Sequence, residues 1–201
     1  MKVKLGDIAA VRTGLVVARK KSQVDSEQKI TYSQVSLRCF GSGIVLDHEH
    51  TDEFVSAEAL DAKYFTQEGD ILVRLRSPSL ALYVEKEDEG LLINSLLCII
   101  RMDTQNVDAK YVAYYINSKT AERQLRLDMQ STAIPMVKTR DLENLEIVLP
   151  SLAEQKRLVS LLDLAQKEQD LLQKLINEKK QLSQTILDTI IQQNKEEKCQ
   201  K

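Results

Sequence analysis

Few residues in this 201-residue chain have the type and spacing that covalent chemistry needs. Its two histidines fall together in His48-Glu49-His50. They could offer two imidazole ligands to a metal. No further His or Cys comes at ligand spacing, so the segment reads as an exposed acidic loop. Gly41-Ser42-Gly43 is a turn and not a phosphate cradle, because no Lys-Ser/Thr after it and no third glycine completes it. There is no GxSxG elbow and no Cys–His pairing. Cys39, Cys98 and Cys199 form neither a CxxC pair nor an even framework. Cys39 and Cys98 therefore read as buried small hydrophobes in a reducing cytoplasm. Tyr111, Tyr114 and Tyr115 sit at helical spacing and read as packing residues. The signals for an enzyme are poor, and neither a metal nor a cofactor is expected.

A second kind of chemistry is ionic. The net charge of −2 supplies no global basic field. Charge is nevertheless uneven. Asp47, Glu49, Asp52, Glu53, Glu58 and Asp61 crowd one stretch without a Lys or Arg between them, and Glu85, Glu87, Asp88 and Glu89 crowd another around Lys86. Basic residues gather at Arg12, Arg19, Lys20 and Lys21, at Arg74 and Arg76, at Arg123 and Arg126, and at Lys138 and Arg140. A fold could bring the basic groups onto one face; the bland reading is a solvated surface.

The elements that would position these groups read as a mixed α/β domain over residues 1–150. Val3–Arg12 leads through a turn or short helix into a strand, and residues 13–28 form a basic loop. Strands are expected at Ile30–Leu37, Ile71–Arg74, Leu80–Val84, Leu96–Arg101 and Leu145–Leu149. Ser56 is expected to cap a short helix through Tyr64. Asp108 is expected to cap a helix over residues 109–117, with a second helix through Leu127. Residues 129–139 read as a polar loop. No stretch is long and apolar enough to span a membrane, and the N-terminus lacks the apolar run of a signal peptide, so a cytoplasmic protein is expected.

The remainder, residues 151–193, reads as one long helix. Ser151 and Glu154 have the spacing of a capping box. Neither Pro nor Gly occurs between Ser151 and Gln193. Apolar residues recur every three or four positions at Leu158, Leu161, Leu162, Ala165, Leu172, Leu175, Ile176, Leu182, Ile186 and Ile190. Such a helix is on the order of 60 Å long, longer than the domain before it is wide. Part of the stripe must find a partner, and a second copy of itself in a coiled coil is the expected one. Gln169 and Lys179 interrupt the seam, as residues that set register do. Residues 194–201 are expected to be a charged, frayed tail.

Several segments then combine. They are Lys4-Leu5-Gly6-Asp7-Ile8-Ala9 with Val11-Arg12-Thr13-Gly14, Glu68-Gly69-Asp70-Ile71-Leu72-Val73-Arg74, Tyr111 through Ser118, and Leu142 through Leu158 with its Leu149-Pro150 and Glu154-Gln155. Their order and spacing resemble the DNA specificity subunits of type I restriction–modification systems, over nearly the whole chain. Full-length subunits of that family usually carry two recognition domains and two long helices. The resemblance therefore implies a half-subunit that pairs with itself, heads at opposite ends, to read a split palindrome in double-stranded DNA. It implies a methyltransferase subunit as partner and a restriction subunit in some assemblies. The family's catalysis resides in those subunits, so this chain is expected to be non-catalytic and without a cofactor of its own.

Under that resemblance, three loops could reach base edges. The first offers Arg12, Thr13, Arg19, Lys20 and Lys21. The second offers Arg74, Arg76 and Ser77. The third offers Gln130, Ser131 and Thr132, with Lys138 beyond. Family members often have Gly-Ser where this chain has Gln130-Ser131. Two other classes stand beside this reading. One is a coiled-coil assembly module, or remnant specificity subunit, that no longer reads DNA. The other is an enzyme with a metal pocket around His48 and His50.

Overall fold

A computed structural model of the chain describes residues 1–20, 29–41, 43–76, 80–128 and 136–199. The chain divides into two compact units, Met1–Val159 and Ser160–Lys201.

In the first unit, alternation decides the layers. The strands β1 (Lys2–Lys4), β2 (Ala9–Thr13), β3 (Ile30–Val35), β4 (Asp52–Ser56), β5 (Ile71–Arg74), β6 (Ala81–Tyr83), β7 (Leu92–Ile93), β8 (Leu97–Met102) and β9 (Glu146–Val148) form three sheets. The central sheet is antiparallel, in the order β2-β8-β5-β6. Successive side chains of a strand point to opposite faces. Ile71, Val73, Cys98 and Ile100 accordingly face a core completed by α1 (Ala109–Ile116), α2 (Lys119–Asp128) and α3 (Thr139–Glu143). Leu72, Leu97 and Ile99 face the other way, against Val35 and Ile93 of the sheet β4-β3-β7. Both faces of β5 and β8 are buried, which is why their sequences are apolar runs.

The expected strands at 30–37, 71–74, 80–84, 96–101 and 145–149 are present within a few residues. Asp108 caps α1 by accepting from Lys110 N and Tyr111 N at 2.9 and 3.1 Å. Three local expectations need correction. Residues 52–56 are strand β4, hidden by its acidic residues; only Phe54 and Ser56 turn inward. No helix extends from Ser56. Its hydroxyl instead donates to Glu58 O at 2.7 Å, and residues 62–64 form a single 3-10 turn capped by Asp61. The loop expected to run to Thr139 gives way there to α3, whose one buried side chain, Leu142, is too little apolar signal to mark a helix. At the start of the chain, β1, a 3-10 turn and β2 share the stretch read as a turn leading to a strand.

The last helix, α4 (Leu152–Cys199), begins inside the first unit. Glu154 accepts from Ser151 N at 3.0 Å and Ser151 Oγ accepts from Glu154 N at 3.4 Å, the expected capping box. Val159 is buried in the core of the first unit. In the second unit the helix backbone continues past the end expected near Gln193. Leu161, Leu162, Leu172, Leu175, Ile176, Leu182 and Ile186 are exposed along it, as is Leu158 before it; Ile190 is described in backbone only. Leu164, Leu171, Leu187 and Ile191 are exposed as well. The apolar arc is therefore wider than a two-residue coiled-coil seam.

Candidate nucleic-acid interface

The backbone first decides which basic groups meet. β5 continues beyond Arg74 as an extended segment. Leu75 N donates to Leu96 O at 3.1 Å, and Val137 N donates to Leu75 O at 2.8 Å. Arg76 and Met136 then form an antiparallel bridge. This pairing brings Arg74, Arg76 and Lys138 to one end of the central sheet. Arg76 and Lys138 are exposed, whereas Arg74 is half-buried with its Nε unpartnered.

Arg12 and Thr13 lie at the exposed end of β2, not in a loop. Arg12 is opposite Ile99 and Ala10 opposite Arg101. By strand alternation Arg12, Arg101, Arg74 and Arg76 share the face of the sheet remote from α1. Arg12 and Arg76 are about 16 Å apart, by two strand spacings across and four residues along. Beside Arg12 is a shallow cavity of about 130 Å³ lined by Ala10, Arg12, Lys63, Ile99, Arg101 and Asp103. Sequence reasoning misses Lys63 and Arg101. Arg101 lies within a strand whose apolar run masks it, and Lys63 within an acidic stretch.

Ion pairing removes several cations from the inventory. Lys20 is held by the Glu58 carboxylate and Arg38 by Asp52 at 2.6 Å. Lys63 meets Asp61 at 2.8 Å, which raises the lysine pKa and lowers that of the aspartate. Arg101 Nε and Nη2 donate to the two oxygens of Asp70 at 2.7 Å each, and this hydrogen bonding raises the arginine pKa. Asp70 is only 1% exposed and also accepts from Gln67 N. The turn Val17–Arg19 carries Arg19, whose side chain is not described. Lys21, Ser77, Gln130, Ser131 and Thr132 lie outside the described residues.

The two histidines each face a carboxylate. His48 Nε2 stands 2.8 Å from Oδ1 of buried Asp88, and His50 Nδ1 stands 2.9 Å from Asp47. Burial raises the Asp88 pKa, against the Glu85 N–H that lowers it. Among the described residues, no three His, Cys, Asp or Glu side chains gather as metal ligands. The Cys98 thiol is pushed up to about 12 by burial, so it is no nucleophile at neutral pH. Tyr111 and Tyr115 donate from their hydroxyls to Val148 O and Glu146 O, at 2.6 and 3.1 Å, and pack on the core as expected.

The segments that carried the family resemblance are joints of the scaffold. Gly14 lets the chain pass β7, since an added Cβ would stand 2.3 Å from Asn94 O. Gly69 takes φ +86° in the turn before Asp70. Asn117 brackets the edge strand β6, accepting from Ala81 N at 2.7 Å and donating to Ala81 O at 2.9 Å. Gln155, 1% exposed, accepts from Asp108 N at 2.9 Å and donates to Pro150 O at 3.0 Å. It ties the first turns of α4 to the cap of α1.

A family model described as the type I restriction modification DNA specificity domain matches residues 1–181. The chain belongs to that family. It is also similar to two solved structures. One is the HsdS subunit from Thermoanaerobacter tengcongensis, at 17% identity and a TM-score of 0.63. The other, at 18% identity and a TM-score of 0.67, comes from a structural study of assembly and conformational transition of the type I R-M system. In each case 87% of this chain covers 44% of the other. At this identity the likeness establishes a shared fold. The chain thus spans less than half the length of the proteins it matches. No curated protein matches it significantly in sequence.

Proposed function

We propose that this chain is the non-catalytic DNA-reading subunit of a type I restriction–modification assembly, and that two copies pair through α4. Each copy contributes one recognition domain, residues 1–150, and one spacer helix, residues 151–193, so the pair reads two identical half-sites around an unread spacer. The observation that carries this reading is the family match over residues 1–181, which takes in the whole first unit and much of α4. The exposed arc of α4 supports the pairing. Because that arc exceeds a two-helix seam, its flank around Leu164 and Leu171 is left for a methyltransferase subunit. A helix of 48 residues is about 70 Å long, which suits heads spaced at one or two DNA turns of roughly 34 Å. Reading falls to Arg12, Thr13, Arg74, Arg76 and Lys138, together with Arg19, Lys21, Ser77 and Gln130–Thr132. Lys20 joins them on release from Glu58. The methyltransferase subunit supplies the chemistry, and a restriction subunit completes assemblies that cleave. Among the described residues no helix is long and apolar enough to cross a membrane, which accords with a cytoplasmic site of action.

Sedimentation at micromolar concentration, combined with selection from a randomised duplex pool, tests the reading. A dimer that enriches an inverted repeat with an unread spacer is expected. A monomer, alone and with a methyltransferase subunit, overturns the pairing. A dimer with no sequence preference identifies a coiled-coil assembly module instead. The neutralisation of Lys20, Arg38, Lys63 and Arg101 favours that second reading.

A further inference from the structure

We infer that Arg76 and Met136 form a two-pronged reader of adjacent base pairs, Arg76 on a guanine and Met136 on the C5-methyl of a neighbouring thymine. This rests on the DNA-reading function proposed above and adds to it a residue and a base class. The two residues are 60 positions apart in sequence but directly opposite in an antiparallel bridge. Behind them, Leu75 and Val137 are buried in the core and joined by the 2.8 Å bond from Val137 N to Leu75 O. Because the side-chain period is two, this buried pair forces the next pair outward. A slip of one residue would expose Val137 and bury Arg76, so the register is held.

The outward pair has complementary chemistry. Among the described residues the Arg76 guanidinium meets no carboxylate, unlike those of Arg38 and Arg101. It remains able to give two donors to the O6 and N7 of guanine. Met136 is 46% exposed, and its unbranched, polarizable side chain adapts to a small apolar target. In the major groove only thymine presents a methyl group. Directly opposed Cβ atoms lie about 4.5–5.5 Å apart, and stacked bases repeat every 3.4 Å or so. Two flexible side chains starting that close can address neighbouring pairs.

The test uses the full chain and a duplex enriched from the randomised pool. Each thymine in turn is replaced by deoxyuridine, which lacks only the methyl, and each guanine by 7-deazaguanine, which lacks N7. For the unsubstituted protein, one deoxyuridine per half-site should weaken binding about fourfold, the worth of one buried methyl group. An adjacent 7-deazaguanine should weaken it at least fivefold. Met136→Ala should bind the thymine and uracil duplexes equally, and Arg76→Ala the guanine and deazaguanine duplexes equally. Met136→Leu should restore the methyl preference. Both positions are exposed, so the variants are expected to melt like the parent. If enrichment occurs but Met136→Ala retains the full uracil penalty, the methyl reader is wrong while the specificity function stands. If the pool yields no enrichment, the specificity function and this reader fall together.

Discussion

Replacing Gln155 by Leu tests the joint between the two helices it bridges. The side chain is buried, and its amide satisfies two backbone groups, Asp108 N–H and Pro150 C=O. Leucine has a similar volume and the same helix propensity or better, so neither a cavity nor fraying enters the comparison. What is lost is two hydrogen bonds, with both backbone groups left unpaired. An orphaned buried group costs about 1–3 kcal/mol. Both bonds lie in partly buried surroundings where some water can reach, so the lower half of that range applies to each. The sum is about 2–4 kcal/mol. For a chain of this size that corresponds to a fall in Tm of roughly 4–16 °C. The assay is urea and thermal unfolding at one fixed protein concentration, because pairing would make the midpoint depend on concentration. Gln173→Ala, on the exposed surface of α4, is the control and should stay within about 0.5 kcal/mol. Hydrogen exchange should show the Asp108 amide and the first turn of α1 losing protection. A loss below about 0.5 kcal/mol for Gln155→Leu, with unchanged exchange at Asp108, would refute the reasoning.

Asp70→Ala removes both acceptors of Arg101 and the partner of Gln67 N. Since Arg101 is 34% exposed and can turn to solvent, the cost in unfolding assays should be about 2–3 kcal/mol, below that of a fully buried pair; Asp70→Asn should cost less. Leu172→Glu with Leu175→Glu places charges in the exposed arc of α4 and should convert the proposed dimer to monomer in sedimentation, with the melting of the first unit retained. The α4 cap should depend on pH through Glu154, whose pKa is lowered by its hydrogen bonds from Ser151. A carboxyl held below its unfolded value contributes above that value and loses the contribution as pH falls through the folded one. Exchange protection at the Ser151 amide should therefore decline on acidification below the usual carboxylate range, and Glu154→Ala should abolish the dependence.

Much of the fold was legible in the sequence because local physics and tertiary context agreed. The Ile71–Arg74 and Leu97–Met102 runs are apolar on both faces, as strands buried on both sides must be. Asp108 and Ser151 cap the helices they precede. β4 is hidden in the sequence because it is a short edge strand with two acids among its five residues, leaving Phe54 and Val55 as its only apolar signal. β7 and α3 are too short to establish a period. The pairing of β1 with β9, which matches Lys2 with Val148, leaves no local trace at all. At the site, Arg12 and Arg76 could be picked as exposed basic residues beside strands. The capture of Lys20 by Glu58 could not, because it depends on where β4 packs. Met136 carried no signal, since its meaning comes from the partner strand.

The most direct measurement is methylation-sensitive sequencing of host DNA after this chain is co-expressed with the type I methyltransferase subunit of its own system. Methyladenine in a two-part inverted repeat with a fixed unread spacer is the expected result, and it would establish reader, pairing and partner together. No new methylation, while the same methyltransferase subunit is active with another specificity subunit, would contradict the claim that this chain directs the assembly to DNA.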